Sequence, residues 1–254
     1  MTQRIQDLYQ KLLNIPFLKL GQVDNFNSMQ QEAIAAYEKH HNSLEHLHTS
    51  CTKDQLMLNL DVLGIFDYKG LAEVSSQCDS SLTNYLLKGK LSVPFKQGEK
   101  TVATKFSHEV PILRDYVRGL FEHPGRIRFS VLQSNKSVGW HTHYNVSTEL
   151  TIHIPLITSS HVYAQVAPCN FDKLETEEDW FPKDPTECYT QHFAPGEIWL
   201  LNSKHYHRLV NDGPTARVHM WATVYLLDQH GNPVNPFLMQ LLESAANNYT
   251  GTLI

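Results

Sequence analysis

The chain has 254 residues, of which 41% are hydrophobic and 19% are charged, and its formal net charge is −5. This balance is typical of one large folded domain and argues against a disordered chain. The basic residues are scattered, without the basic stripe of a nucleic-acid-binding protein, and no apolar run reaches the roughly 18 residues of a membrane span. We therefore expect neither nucleic acid nor a membrane as a partner.

Cysteine and histidine usage indicates the environment and the chemistry. The four cysteines are widely spaced and form no CxxC pair, which predicts a reduced, cytoplasmic protein without a zinc knuckle. In contrast, the chain has 15 histidines. Because histidine is the commonest metal ligand, this excess favours a metal site.

The residue pattern of the N-terminal half is typical of helices. Apolar residues recur on one helical face over residues 1–13, so an amphipathic helix is predicted there, and Pro16 ends it. Ser28 and Gln31 fit a capping box at the start of a second helix. Residues 44–106 predict only mixed structure.

A third helix and then a series of strands follow. Ser107 is the predicted N-cap of that helix, and Pro124-Gly125 ends it. From there the apolar period changes from helical to two. Strands are predicted at residues 126–133, 147–156, 161–167, 188–193, 197–201, 205–210 and 217–227, before a closing helix at 236–246. Short strands at this spacing predict a mainly β fold with N-terminal helices, built on an antiparallel barrel or a double-sheet jelly roll.

This change of pattern also predicts the organisation of the chain. Residues 1–125 would form a helical N-terminal extension packed on the core, and residues 126–254 would form the β core. Within the core, residues 168–187 are rich in acidic residues and proline. They are predicted to be an insertion between strands, either a lid or partner-facing loop or a solvated surface loop.

Alternation along the strands places several polar residues on shared faces. The pairs are Arg128 with Ser130, His141 with His143, Thr151 with His153, His205 with His207, and Arg217 with His219. A barrel interior of this composition suits a binding site better than a core, because burying an arginine without an anionic partner is costly. We expect His141 and His207 to hold one metal ion, and Arg217 to hold an anion beside it.

A common iron site combines two histidines with a carboxylate, written His-x-Asp/Glu with a distant histidine. Here His143 stands where that carboxylate would be. The sequence leaves three roles open for His143: a third metal ligand, a substrate contact, or a plug.

Six short segments lie in order between about residues 126 and 227. They are Phe129-Ser130, Trp140-His141-Thr142, Ile152-His153-Ile154-Pro155-Leu156, Gly196-Glu197-Ile198-Trp199, His207-xxx-Asn211 and Arg217-Val218-His219. In their order and spacing, these segments resemble the aspartyl/asparaginyl β-hydroxylase family of Fe(II)/2-oxoglutarate-dependent oxygenases.

This resemblance implies a double-stranded β-helix, the cupin-like form of the jelly roll, and it implies an enzyme. By it, His141 and His207 are iron ligands, and some members of the family have only two histidines there. Arg217 and Ser130 would bind the distal carboxylate of 2-oxoglutarate, and His153 would lie near its metal-chelating end. The reaction would use Fe(II), 2-oxoglutarate and dioxygen to hydroxylate an unactivated C–H bond of an amino acid, peptide or related small molecule.

One departure from the family concerns the substrate. The family's protein-directed members carry arginine two residues before the histidine matched by His153, whereas this chain has Thr151, so an aspartyl substrate is not implied.

Two other interpretations compete with this one. A metal-dependent cupin dioxygenase or isomerase would instead use His143 and Glu149 as ligands and would need no 2-oxoglutarate. A non-catalytic barrel that binds a carboxylated ligand is the third interpretation.

Overall fold

The structure of the protein is a computed structural model. The structure describes residues 3–44, 60–68, 101–121, 124–142, 149–169, 185, 187–228, 230–233 and 235–254. In these ranges the helices are α1 (Gln3–Leu13), α2 (Phe26–Leu44), α3 (Pro111–Leu120) and α4 (Pro236–Asn247), with a short 3₁₀ helix at Phe106–His108. The described helices lack the combination of length and apolarity that crossing a bilayer requires.

The described strands form two antiparallel sheets. They are β1 (Phe17–Gln22), β2 (Leu60–Tyr68), β3 (Thr101–Ala103), β4 (Pro124–Leu132), β5 (Lys136–His141), β6 (Glu149–Ile157), β7 (Val162–Ala167), β8 (Tyr189–Gln191), β9 (Glu197–Leu201), β10 (Tyr206–Asn211) and β11 (Arg217–Tyr225). The major sheet has the order β1-β9-β6-β11-β4-β2-β3, and the minor sheet has the order β5-β10-β7-β8.

From β4 onwards the chain passes repeatedly between the two sheets. Strands β4, β6, β9 and β11 belong to the major sheet, and β5, β7, β8 and β10 belong to the minor sheet. This alternation is the topology of a double-stranded β-helix. The predicted fold class, mainly β with N-terminal helices around a jelly roll, is therefore confirmed.

The hydrophobic core has two parts, divided by the major sheet. One face of the sheet packs against the helices, and residues such as Phe129, Ile152 and Met220 belong to that part. The other face looks into the barrel, where Leu132, Trp199 and Leu209 belong to a smaller cluster. The period-two alternation of the sequence thus separates an apolar outer face from the inner face that carries the polar residues.

Several element predictions are confirmed, and others need correction. The capping box predicted at Ser28 does not start α2, because that helix begins at Phe26. Helix α1 and strand β9 lie where the pattern places them. Ser107 is not the N-cap of α3, because it lies in the 3₁₀ helix and α3 begins at Pro111, whose fixed φ and missing N–H suit a first helical position. Strand β5 was not among the predicted strands, because its polar residues and glycine give weak alternation.

The proposed division at residue 125 stays a prediction. Strands β1, β2 and β3 come from the first part of the chain and extend the major sheet at its two edges. Most of the acidic insertion, residues 168–187, lies outside the described residues.

Candidate metal and anion site

Two histidines meet across the minor sheet. His141 on β5 is the direct register neighbour of His207 on β10. Both side chains are buried, and their ring centroids are 4.1 Å apart. The register shifts between this pair and the next one, Leu209 with Val138, so β5 contains a bulge beside His141. The bulge puts Val138 and His141 on the same inner face, and bulges are common next to functional sites.

Hydrogen bonds to the backbone define the tautomer of both rings. His141 Nδ1 lies 2.9 Å from the Gly139 carbonyl oxygen, and His207 Nδ1 lies 3.0 Å from the His205 carbonyl oxygen. A carbonyl only accepts, so each Nδ1 carries the proton and donates it. Neutral imidazoles in this tautomer present a lone pair on Nε2, the usual arrangement for a metal-binding histidine with a backbone acceptor behind it. The pair therefore fits a metal ion.

The identity of a third ligand is left open by the described residues. Within the described ranges no group of three or more His, Cys, Asp or Glu residues is arranged to hold a metal ion. His143, a candidate third ligand, lies outside these ranges, so the three roles that the sequence leaves open for it are not tested. The preceding residue is well anchored, since Thr142 Oγ1 donates to the Lys204 carbonyl oxygen at 2.8 Å.

Arg217, at the start of β11, is a fully buried cation. Its side chain is 0% exposed. Nη2 donates to His219 Nδ1 at 2.8 Å, and Nη1 donates to Ser130 Oγ at 3.3 Å. Burial lowers the pKa of Arg217 to about 9, so the guanidinium is still protonated at neutral pH.

This cation lacks a counter-ion in the part of the chain that the structure describes. The ion pairs of the described residues do not include Arg217, and its buried Nε has no hydrogen-bond partner among them. Leaving a buried charge without compensation costs several kcal/mol, at about the scale known for buried ion pairs. The arrangement therefore indicates a binding site for an anion.

His153 lies in the same compartment but not beside Arg217. It is buried on β6, and its ring is 6.0 Å from that of His219, measured between centroids. Its register neighbour on β11 is Trp221, whose ring is parallel to that of His153. On the other side of Trp221, the guanidinium carbon of Arg128 lies 4.4 Å from the ring centroid, a cation–π contact. This row forms one wall of the barrel interior.

A narrow crevice joins the two sheets at the anion site. Its lining includes Arg217 and His219 from the major sheet, and Leu209 and Ala164 from the minor sheet. Phe193 is a further wall residue, 6.4 Å from the His219 ring between centroids. Leu209 follows His207 by two positions on the inner face of β10, which is about 7 Å along a strand. The lining of the crevice at the anion site therefore includes a residue that is one inner-face position from His207.

Asn211, another polar residue of the matched segments, has structural contacts. Asn211 is fully buried, and its Nδ2 donates to the carbonyl oxygens of Leu132, Gln133 and Thr215, which ties the β10–β11 turn to the end of β4. Its Oδ1 accepts from the Gly213 N–H. This turn sets the start of β11 and so the position of Arg217.

His205 differs from the sequence prediction, which placed it on one strand face with His207. It precedes β10, which begins at Tyr206. Its Nδ1 accepts the Cys169 N–H at 2.9 Å, and its Nε2 lies 3.0 Å from the Leu13 carbonyl oxygen. Burial lowers the pKa of His205, which agrees with a neutral ring that links α1 to the loop after β7.

The structure brings together the predicted His141 and His207, and separately Ser130 and Arg217. His153 lies in the same interior, whereas His143 is not described. Sequence reasoning did not assign a role in the site to His219 or Trp221. The signal for both was available, because strict alternation from Arg217 along β11 places them on its inner face.

Comparison with protein-family models finds no match, and comparison with curated proteins finds none either. Among solved structures, the chain is similar to an oxidoreductase of the 2OG-Fe(II) oxygenase family from Burkholderia pseudomallei, with 13% identity over 91% of this chain and 92% of the other and a TM-score of 0.43. It is also similar to AviO1 from Streptomyces viridochromogenes Tue57, with 11% identity over 90% and 97% of the two chains and a TM-score of 0.47. The third structure is the non-heme alpha ketoglutarate dependent epimerase SnoN from nogalamycin biosynthesis, with 13% identity over 88% and 83% and a TM-score of 0.42. The fold assignment itself rests on the strand order and register of this chain.

Proposed function

We propose that this protein is an Fe(II)- and 2-oxoglutarate-dependent dioxygenase that hydroxylates an unactivated C–H bond of an amino acid, a peptide or a related small molecule. The observation that carries the proposal is the buried Arg217, which has no carboxylate neighbour among the described residues and lies in one barrel interior with a histidine pair. A metal site and a carboxylate site in one enclosed space are what a metal-chelating dicarboxylate requires.

Each residue of the site has a defined part in this proposal. His141 and His207 would hold the metal through Nε2, since the backbone already accepts their Nδ1 protons. Arg217 would bind the distal carboxylate of 2-oxoglutarate through charge-assisted hydrogen bonds, with Ser130 Oγ beside it. His153 would lie near the opposite, metal-chelating end.

When bound, iron(II) would activate dioxygen, the oxidant of the reaction, with 2-oxoglutarate as the co-reductant; one oxygen atom would enter the substrate as hydroxyl and the other would enter succinate, formed with carbon dioxide. The protein contributes orientation and the exclusion of water. Phe193, Trp199 and Leu209 pack in the barrel interior and keep the surroundings of the anion site apolar. An apolar surrounding strengthens the pairing of Arg217 with a carboxylate.

The test measures whether the consumption of 2-oxoglutarate is coupled to the hydroxylation of a substrate. Protein reconstituted with Fe(II) is incubated aerobically with 2-oxoglutarate and a panel of amino acids and peptides. We expect succinate to form, and a substrate to gain the mass of one oxygen atom. Arg217→Ala should abolish 2-oxoglutarate consumption, whereas Arg208→Ala should not. Arg208 is a suitable control because it lies on the outer side of the minor sheet, with its guanidinium over the ring of Trp140.

The other two interpretations predict different results. A cupin enzyme would lose its metal on Glu149→Gln and would show no effect of 2-oxoglutarate. A non-catalytic barrel would bind carboxylates without binding iron, so stoichiometric loss of iron on His207→Ala would contradict it. Loss of the metal on Glu149→Gln, or the absence of any effect of 2-oxoglutarate, would overturn the proposed function.

A further inference from the structure

His219 makes a contact that fixes the position of its own proton. Its Nδ1 lies 2.8 Å from Nη2 of Arg217. A guanidinium group only donates hydrogen bonds, so this Nδ1 must be the acceptor and cannot carry a proton. A neutral imidazole has one N–H, which is therefore on Nε2. Burial and the charge of Arg217 lower the pKa of His219 well below its ordinary value, which agrees with a neutral ring.

The N–H that this tautomer creates points to a missing acceptor. His219 is 2% exposed, and its Nε2 is buried without a hydrogen-bond partner among the described residues. The same is true of Nε of Arg217. Two residues joined by a hydrogen bond thus each leave a donor unsatisfied in one compartment, and buried donors of this kind normally have a partner.

The surroundings indicate that the acceptor comes from a ligand. The crevice that Arg217 and His219 line is otherwise lined by Val162, Tyr163, Ala164, Phe193 and Leu209. The one polar side chain in that set, Tyr163, donates its hydroxyl to Asp212 at 2.8 Å, in an exposed position. Apart from Tyr163, whose hydroxyl is bonded to Asp212, the crevice wall offers the two donors only apolar side chains.

We propose that His219 is a second cosubstrate-binding residue, with a separate function for each ring nitrogen. Nδ1 accepts from Arg217 and fixes the plane of the guanidinium, and Nε2–H donates to the ligand that Arg217 binds. The site then carries one positive charge and one neutral donor, which suits a single carboxylate group with several acceptor positions. This inference rests on the proposed function, because it takes the ligand to be 2-oxoglutarate.

Three substitutions of His219 separate the two nitrogens. Asparagine places an oxygen acceptor near the position of Nδ1, glutamine places an amide donor near the position of Nε2, and phenylalanine keeps the ring shape without either. We expect His219→Phe to raise the Kd for 2-oxoglutarate about 10- to 100-fold, the scale of losing a hydrogen bond to a charged group. Asparagine and glutamine should each restore only part of this loss.

The affinities are measured by anaerobic calorimetry on the Fe(II)-loaded protein. Circular dichroism and iron content show that each variant is folded and loaded. The matched control is His161→Gln, because His161 is exposed in the turn between β6 and β7 and should leave the Kd unchanged. If His219→Asn binds 2-oxoglutarate as tightly as the wild type, the histidine only orients Arg217 and the inference is overturned.

A spectroscopic readout tests the donor directly. In the zinc-loaded, ¹⁵N-histidine-labelled protein, the resonances of His219 are assigned by their loss in His219→Phe. We expect the Nε2–H tautomer before ligand is added, and a shift of this N–H when 2-oxoglutarate binds. An Nδ1–H tautomer, or an Nε2–H that does not respond to bound 2-oxoglutarate, overturns the inference alone. Failure of the wild type to bind 2-oxoglutarate at all overturns the proposed function, and the inference with it.

Discussion

Replacing Arg217 with methionine removes the buried cation while keeping most of its volume. Three of its five N–H groups remain after the bonds to Ser130 and His219, and a bidentate carboxylate uses two of them. At about 1.5–3 kcal/mol for each bond to a charged group, the loss is about 3–6 kcal/mol, which corresponds to a roughly 10²- to 10⁴-fold weaker affinity for 2-oxoglutarate.

The same change should have little effect on the stability of the unliganded protein. Methionine removes an uncompensated buried charge, whose burial costs several kcal/mol. It also leaves His219 and Ser130 without a donor, at about 1–3 kcal/mol each. Because these contributions are opposite in sign and similar in size, we expect the unliganded Tm to stay within a few degrees of the wild type.

Anaerobic calorimetry and thermal melts of the Fe(II)-loaded protein measure both quantities. At a hundred times its Kd, 2-oxoglutarate should stabilise the wild type by about 2.7 kcal/mol. In a domain of this size that is a Tm increase of about 5–11 °C. Arg217→Met should lose this increase, and Arg208→Met should keep it. Tight binding by Arg217→Met, within threefold of the wild type, would refute the assignment of Arg217 as the anion anchor.

Other expected outcomes test the histidine pair, the turn and the charge. His207→Ala should lose stoichiometric iron, measured by elemental analysis, whereas His205→Ala should keep iron and lose stability, because His205 contacts the Leu13 and Cys169 backbone. Equal iron loss in both variants would contradict the assignment of His141 and His207 as the metal-binding pair. Asn211→Ala should lower the free energy of unfolding in urea by about 2–4 kcal/mol, since its amide serves three carbonyls; an unchanged urea midpoint would contradict this. Gly196→Ala should lower the Tm, because φ is +75° and a Cβ would lie 2.7 Å from the Phe26 ring; a wild-type Tm would contradict it. Affinity for 2-oxoglutarate should fall as the pH rises past about 9, where Arg217 loses its proton. Above that pH the free energy of unfolding of the unliganded protein should rise, because the unfolded chain then binds more protons than the folded one. A change of affinity and of stability in the same direction would contradict the assignment of Arg217 as the titrating group.

The sequence predicted the strands of the core well where alternation is strict. On β4, Phe129 faces the helices and Ser130 faces the barrel, as the period of two requires. The inner face of β11 could be predicted for the same reason. Both faces of these strands are buried, but one face is apolar and the other carries polar residues, so the alternation of residue type in the sequence predicts which face a residue occupies.

Strand β5 could not be predicted in the same way, because its alternation breaks at the bulge. Val138 and His141 face the same interior although they are three positions apart. A bulge inserts one residue, and the sequence contains no apolar signal that marks where it occurs. The pairing of His141 with His207 was therefore inferred from spacing and resemblance, and only the register of β5 with β10 shows it.

The contacts between segments that are distant in sequence also could not be predicted from the sequence pattern. His205 contacts the backbone of Leu13 and Cys169, and the choice between a metal ligand and a structural histidine depends on which backbone groups lie nearby. The partnership of Arg217 with His219 is local in sequence, but its significance appears only with the burial of both residues. Burial of this kind is a property of the packed barrel, not of the strand alone.

The most direct test of the site is an anaerobic titration of the protein with Fe(II) and 2-oxoglutarate, followed by absorption spectroscopy. We expect a charge-transfer band of the iron chelate that saturates at one equivalent of each component. The band should be absent in His207→Ala and should require much more 2-oxoglutarate in Arg217→Met. Absence of both iron binding and the band in the wild-type protein would contradict the account.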